Sequence, residues 1–225
     1  MREYWRANRP QSPRPYDRTA LLLARLDHLR AELCAVDPVE LMQRAAGSYS
    51  KTPSGKGELS LQLWGREVIV TFPNLIAFDC ISMNEFNAAL QALVIYYLHT
   101  TDGTPISERF IAFSELPDGK FYAQAFQGYT GDELLRHFGN DRQHFETAAL
   151  NVGGKHYPLG DTSFTFQLLP RVDLLVVFWR GDDDFPSSYQ VLFDASVSHH
   201  LPTDVCAVAG SMLTRRLIES SFGVS

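Results

Sequence analysis

Apolar residues recur at spacings of three and four in several stretches of the chain, and this spacing predicts helices that bury one face. The first stretch is 17–33. The second opens at Ser82–Glu85, where the order Ser-Met-Asn-Glu fits a capping box. The apolar face of this second helix is formed by Met83, Phe86, Leu90, Leu93, Val94 and Tyr97. We expect it to be the central helix of the core.

Further helices are indicated by a polar capping residue in front of an apolar run and, for some of them, by a glycine behind it. The helices predicted in this way begin at Asp37, Thr130, Asn140 and Thr203, and the first two of them end at Gly47 and Gly139. Proline at the first helical position, as in Pro38, strengthens the first of these assignments.

Alternation of apolar and polar residues predicts two hairpins in the first half of the chain. The first hairpin spans 59–72, after a polar loop at 48–57. The second is expected over 108–126, with its turn at Pro117–Gly119, because proline fixes φ and glycine accepts the left-handed conformation.

A third hairpin dominates the C-terminal half. Phe164, Phe166 and Leu168 alternate with polar residues, and a nearly continuous apolar run follows at Val172–Trp179. Such a run is typical of a strand buried on both faces, so we expect helices to cover at least one side of its sheet. The partner strand is expected at 189–193, across the acidic loop 181–188.

Hairpins and helices are grouped along the chain rather than alternating, and no internal repeat is present. This order predicts the α+β class, with a mostly antiparallel sheet built from hairpins and helices packed against it. We expect a flexible arm at 1–16, rich in arginine and proline, and a single α+β domain at 17–225.

The formal net charge of -6 argues against general nucleic-acid binding. Residues 1–18 contain five arginines against two acidic residues, so this segment could contact an acidic partner. The alternative, which we favour, is a solvated terminus.

Three cysteines, Cys34, Cys80 and Cys206, lie far apart and form no C-x-x-C pair, which speaks against a zinc knuckle or an iron–sulfur cluster with cysteine ligands. Free thiols in a reducing compartment fit this pattern, so we expect a cytoplasmic protein. The opening residues lack the apolar core of a signal peptide, and no apolar stretch reaches the roughly 18 residues of a membrane span.

Common catalytic motifs, such as G-x-S-x-G, H-E-x-x-H and G-x-G-x-x-G, do not occur in the chain. The acidic run at Asp182–Asp184 could bind Mg²⁺ or Ca²⁺, which prefer several oxygen ligands. We favour a solvated hairpin loop instead, because the spacing gives no defined ligand geometry, and we predict no metal site.

Two other places could carry chemistry. Asp161, just before a predicted strand, could act as an acid or base, although an aspartate that binds its own turn is the simpler interpretation. His199 and His200 precede the last helix and could form a site, although we favour one exposed and one packed histidine. The candidate ligand-binding residues are therefore Asp161, Trp179, Asp182, Asp184 and His200.

The order of several segments in the C-terminal half resembles a known family. These segments are Gly153–Lys155, Leu159–Asp161, Phe178–Pro186, Val191–Asp194 and His200–Asp204. The pattern is similar to DUF3786, a bacterial and archaeal domain of unknown function, over about residues 37–218. The resemblance implies that Asp161, Asp182, Asp184 and Asp194 belong to a recurring pattern. It implies no activity, and the iron–sulfur segment of some relatives has no matching cysteine set in this chain.

Three functions remain open at this point, and no cofactor is indicated. The first is a binding or accessory module for a small ligand or a partner protein. The second is a small enzyme that uses Asp161, Asp182, Asp184 and His200, which requires these side chains to converge around one cleft. The third is a structural subunit of a larger assembly. The sequence does not indicate an oligomeric state.

Overall fold

Two antiparallel sheets contain the strands of the protein, which a computed structural model describes over residues 15–53 and 55–222. The first sheet has the order β1-β2-β3-β4, with β1 at Ser48–Lys51, β2 at Gly57–Leu63, β3 at Arg66–Phe72 and β4 at Ala77–Asp79. The second has the order β5-β9-β8-β7-β6, with β5 at Phe110–Ala112, β6 at Lys155–His156, β7 at Thr162–Leu169, β8 at Val172–Trp179 and β9 at Ser188–Asp194.

Helices pack against these sheets and confirm the predicted α+β class. The α-helices are α1 at Pro15–Ala24, α2 at Leu26–Leu33, α3 at Pro38–Arg44, α4 at Ala88–Thr100, α5 at Ala123–Tyr129, α6 at Gly131–Phe138, α7 at Arg142–Asn151 and α8 at Thr203–Ser221. Short 3₁₀ turns lie at Phe113–Glu115, Gly119–Tyr122 and Val197–His199. The predicted arm falls outside the described residues except for its last two positions, which begin α1.

The C-terminal hairpin has the predicted strands. β8 lies between β7 and β9, and Leu174, Val176 and Phe178 point into the main core, against which the helices pack. The alternate residue Val177 is also fully buried, and the segment at Gly160 closes over it. The apolar run is therefore buried on both faces, with helices on one side and an irregular segment on the other.

The prediction of a hairpin over 108–126 is wrong. β5 pairs with β9 instead, and the chain then makes two 3₁₀ turns on its way into α5. The buried ring of Phe113 explains this path, because it stacks on Phe126 with ring centroids 4.3 Å apart and thereby draws the chain inward. Within the turn, Asp118 rather than Gly119 takes the left-handed conformation, at φ 57°.

The start of the central helix was also predicted wrongly. Asp79 accepts hydrogen bonds from the backbone of Ile81 and Ser82 and so closes a tight turn, in which Met83 has a φ of 54°. The helix α4 therefore begins only at Ala88, where the side chain of Asn87 accepts a hydrogen bond from the backbone N–H of Leu90.

Residues 48–51 form the edge strand β1 rather than part of a loop, because their backbone pairs with β2 while most of their side chains stay exposed. The first predicted hairpin is confirmed as β2–β3. Its turn consists of Trp64 and Gly65, both with positive φ, which is the geometry of a two-residue type I′ turn. The backbone N–H of Trp64 also donates to the carbonyl of Leu168 at 2.9 Å, and this bond ties the turn to the second sheet.

Candidate ligand-binding site

A groove of about 320 Å³ lies beside the β2–β3 turn, between the start of α4 and the second half of α8. We call it the Trp64 groove. Its apolar lining is formed by Trp64, Ala89, Leu90, Val208 and Met212. Its polar lining is formed by Asn87, Ser211, Arg215, Arg216 and Glu219. An apolar surface with a few polar groups at this volume is typical of a small-molecule site.

The conformation of Trp64 is unusual for its residue type. The two-residue turn favours asparagine or glycine at this position, because both tolerate a positive φ. A tryptophan at φ 52° costs on the order of 1 kcal/mol relative to those residues. Since the turn itself does not need an aromatic ring, the ring is better explained by the groove that it lines.

Arg216 covers one face of this ring. Its guanidinium carbon lies 5.6 Å from the centre of the Trp64 indole, which is a cation–π distance. The Nε atom of Arg216 is buried and has no hydrogen-bond partner among the described residues. Burial, and then the positive charge of Arg66, lower the pKa of the Arg216 guanidinium, while Glu219 acts in the opposite direction. The groove therefore holds a guanidinium that the protein itself neutralises only in part.

A smaller hollow of about 250 Å³ lies on the other side of the same turn. Lys155, Thr165, Gln167 and Asp173 reach it from neighbouring strands of the second sheet. The Oδ1 atom of Asp173 is buried without a hydrogen-bond partner among the described residues. Burial raises the pKa of the Asp173 carboxyl to about 6, with a further contribution from the charge of Asp194. Glu108 also raises this pKa, and Lys155 lowers it.

We expect the Asp173→Asn variant to be more stable than the parent at pH 7.5 and equally stable near pH 4. A carboxyl whose pKa is raised by folding favours the folded state at low pH, and this advantage is lost as the pH rises towards 6. The side chain is partly exposed, so we expect a gain of about 1 kcal/mol, below the roughly 3 kcal/mol that the full shift implies.

Urea unfolding at both pH values measures this difference. The Asp184→Asn variant is the control, because Asp184 is exposed and a substitution there should change stability by no more than about 0.5 kcal/mol. A gain from Asp173→Asn that is the same at pH 4 and pH 7.5 would contradict the assignment of a raised pKa to Asp173.

Most of the predicted site residues lie together, at the end of the β8–β9 hairpin. Asp161 accepts a hydrogen bond from the backbone N–H of Arg180 at 2.8 Å, next to the half-exposed Trp179. Asp182 accepts hydrogen bonds from the backbone N–H groups of Asp184 and Phe185, and Asp184 is exposed. Asp182 thus stabilises a turn within this loop, while Asp161 joins the start of β7 to the end of β8.

His200 lies at the opposite end of the hairpin. It is fully buried, its Nδ1 atom is 2.9 Å from the hydroxyl of Thr101, and burial lowers its pKa. His199 is exposed and its Nδ1 atom lies 2.7 Å from Asp102, so the expectation of one exposed and one packed histidine is confirmed. The length of β8 puts His200 on the order of 20 Å from the loop at Asp161, and the proposed acid–base set does not converge.

Residues 15–53 and 55–222 contain no group of three or more histidine, cysteine, aspartate or glutamate side chains placed to hold a metal ion. In the same residues, no helix has both the length and the apolar character needed to cross a membrane.

A comparison with family models matches residues 37–216 to the family described as Domain of unknown function (DUF3786), which is most of the chain. The chain belongs to the DUF3786 family. The resemblance noted from the C-terminal segments is therefore confirmed. Neither the curated proteins nor the solved structures contain a match to the chain.

The Trp64 groove of this DUF3786 protein was not anticipated from the sequence. Trp64 and Arg216 are far apart along the chain and meet only because the turn and α8 pack together. One signal was available in the sequence: a tryptophan directly before a glycine, between two alternating strands, is an unexpected residue for a tight turn. Arg216 had no comparable signal, since an arginine on the last helix is usually solvated.

Proposed function

We propose that the protein is a binding module that takes a small molecule with an apolar body into the Trp64 groove. The observation that carries this proposal is the ring of Trp64, held at a strained turn position and covered by Arg216. Support comes from the volume of the groove and from the apolar side chains of Leu90, Val208 and Met212 along it. The acid–base alternative is not proposed, because its residues lie at two ends of one hairpin.

The Trp64→Asn variant tests this proposal without disturbing the fold. Asparagine followed by Gly65 is a preferred pair for a type I′ turn, so we expect stability to change by no more than about 1 kcal/mol. The same substitution removes the aromatic surface of the groove. A panel of small aromatic and aliphatic compounds, screened by thermal shift, should give ligands whose affinity falls about tenfold or more in this variant, as expected for a lost aromatic contact.

The matched control is Trp179→Asn, which removes a half-exposed tryptophan at the end of β8 that does not line the groove. Ligand contact with Trp64 can be read from the indole N–H signal of that residue in an NMR spectrum. If compounds bind equally well to the parent and to Trp64→Asn, or if none of the panel moves this signal, the proposed site is wrong.

We also propose that the protein works in the cytoplasm. Cys34, Cys80 and Cys206 are free thiols, and Cys34 is exposed, which suits a reducing compartment. Fractionation of cells that produce the protein, with a thiol-specific label applied before lysis, tests this. Rapid labelling of Cys34 by a reagent that does not cross membranes would contradict it.

A further inference from the structure

We infer that the ligand of the Trp64 groove carries an anionic group, a carboxylate or a phosphate, that pairs with the guanidinium of Arg216. This inference rests on the proposed function, since it concerns the ligand of the same groove. It goes beyond that proposal because it names the charged group of the ligand and the side chain that recognises it.

The hydrogen bonds of Arg216 are the first reason. Among the described residues, its guanidinium makes a cation–π contact with the ring of Trp64, and its buried Nε–H has no hydrogen-bond acceptor. A buried polar group without a partner costs on the order of 1 to 3 kcal/mol, and more for a charged group. Because Nε itself is buried, an oxyanion in the groove would pair with the terminal N–H groups of this guanidinium and so compensate its partly buried charge.

The charges around the groove are the second reason. Arg215 and Arg216 both line it, and Arg66 is near enough to Arg216 to affect its pKa. Glu219 is on the same lining and offsets part of this charge. The chain as a whole carries a net charge of -6, so a lining rich in arginine differs from the average surface of the protein. Electrostatic attraction therefore favours an anion at this position.

The shape of the guanidinium is the third reason. The guanidinium carbon lies over the Trp64 ring at 5.6 Å, and the N–H groups of a guanidinium project from the edge of its plane. Such a planar fork binds two oxygens of one carboxylate or phosphate side by side. The apolar body of the ligand would then lie along Leu90, Val208 and Met212. The start of α4, which has no acidic residue in its first turn, adds a weaker attraction for negative charge.

Three matched probes test the inference on the full chain: 2-naphthoate, its neutral analogue 2-naphthamide, and 2-naphthyl phosphate. We expect 2-naphthoate to bind about tenfold or more tightly than 2-naphthamide, as one charge-assisted pair implies. The comparison of carboxylate and phosphate shows which oxyanion the groove prefers. In NMR spectra, the Nε–H signal of Arg216 should move with the anionic probes and stay in place with the amide.

Variants of Arg216 complete the test. Arg216→Gln should remove the preference for 2-naphthoate, and Arg216→Lys should keep part of it, since the charge remains while the planar fork is lost. Arg136→Gln is the control, because Arg136 is exposed, pairs with Glu133 on α6 and does not line the groove. If Arg216→Gln does not fold, the Arg216 Nε–H signal in the NMR spectrum of the parent protein still tests whether the anionic probes pair with this residue.

The outcomes separate the two proposals. Equal binding of 2-naphthoate and 2-naphthamide with a shift of the Trp64 signal would overturn the anionic ligand and leave the groove as a binding site. A preference for 2-naphthoate that survives Arg216→Gln would overturn the role of Arg216. No binding of any probe at Trp64 would count against both the groove and its anionic ligand.

Discussion

Replacing Asp194 with alanine is expected to lower the free energy of unfolding by about 3 to 4 kcal/mol. Asp194 is fully buried at the end of β9. Its Oδ1 atom accepts hydrogen bonds from the backbone N–H and the hydroxyl of Ser196, at 2.9 and 2.6 Å. The same atom accepts from the N–H and the hydroxyl of Ser107, both at 3.0 Å.

Through these four bonds, Asp194 links two segments that lie far apart in the sequence. Ser107 belongs to the segment that leads from α4 into β5, and Ser196 begins the turn that leads from β9 towards α8. Alanine at position 194 would remove this acceptor from four donors, of which the two on Ser196 are buried and the two on Ser107 are partly buried. The cost per donor is large enough that even partial hydration leaves a net loss of several kcal/mol.

The pH dependence gives a second way to check this role. Burial alone would raise the pKa of the Asp194 carboxyl, but the hydrogen bonds from Ser196 and Ser107 outweigh it and hold the pKa below its ordinary value. The stabilisation is therefore present above the pKa of the unfolded chain and is lost as the pH falls through the lower folded-state pKa. The difference between the parent and Asp194→Ala should shrink in acid.

Chemical denaturation at pH 7 and at pH 3 measures both effects. Asp194→Asn keeps an acceptor at the same place and should lose less stability than Asp194→Ala. Asp184→Ala is the control, because that carboxylate is exposed and should matter by no more than about 0.5 kcal/mol. If Asp194→Ala is as stable as Asp184→Ala, the buried hydrogen bonds do not hold this junction together.

The aspartates of the family pattern show what the sequence could and could not predict. Turn chemistry was expected for Asp161 and the acidic loop. Asp182 does bond to the backbone of its own turn, whereas Asp161 accepts from the backbone N–H of Arg180, 19 residues later in the chain. Asp194 also bonds to a residue two positions on, but its other partner, Ser107, lies 87 residues earlier in the chain. Such a partner depends on how β5 and β9 pair, which local sequence does not encode.

The C-terminal hairpin could be predicted because its signal is local. An apolar run with strand length and a turn at Pro170 predicts two adjacent strands before any long-range contact is known. The segment 108–126 gave a similar local signal, yet the burial of Phe113 against Phe126 and Phe193 decided its path. Tertiary packing overrode the turn preference there.

The groove could not be predicted for a related reason. Its two main residues, Trp64 and Arg216, come from a hairpin turn and the last helix, and only the packing of α8 beside β2–β3 brings them together. His200, which the sequence suggested as a catalytic or ligand-binding candidate, is instead fully buried and hydrogen-bonded to Thr101. A single sequence gives the residue type at each position but does not show which distant elements pack together to line one groove.

Helix α8 packs against an aromatic cluster formed by Phe113, Phe126 and Phe193. At this contact, helix propensity and core packing predict opposite effects of one substitution on stability. Gly210 lies inside α8, where glycine is about 1 kcal/mol less favourable than alanine. A Cβ atom at this position would lie 2.6 Å from the ring of Phe126. That ring is stacked on Phe113 and lies 5.7 Å from the ring of Phe193, so it has little room to retreat.

We therefore expect Gly210→Ala to destabilise the protein by about 1 to 3 kcal/mol despite its higher helix propensity, because overpacking a tight core costs that much. Gly128→Ala is the matched control. Gly128 also lies in a helix, α5, but a Cβ there would meet nothing within 4 Å, so this variant should gain up to about 1 kcal/mol. Thermal unfolding of both variants compares the two effects. A stabilised Gly210→Ala would mean that Phe126 moves aside easily and that the close approach of α8 is not what fixes the aromatic cluster.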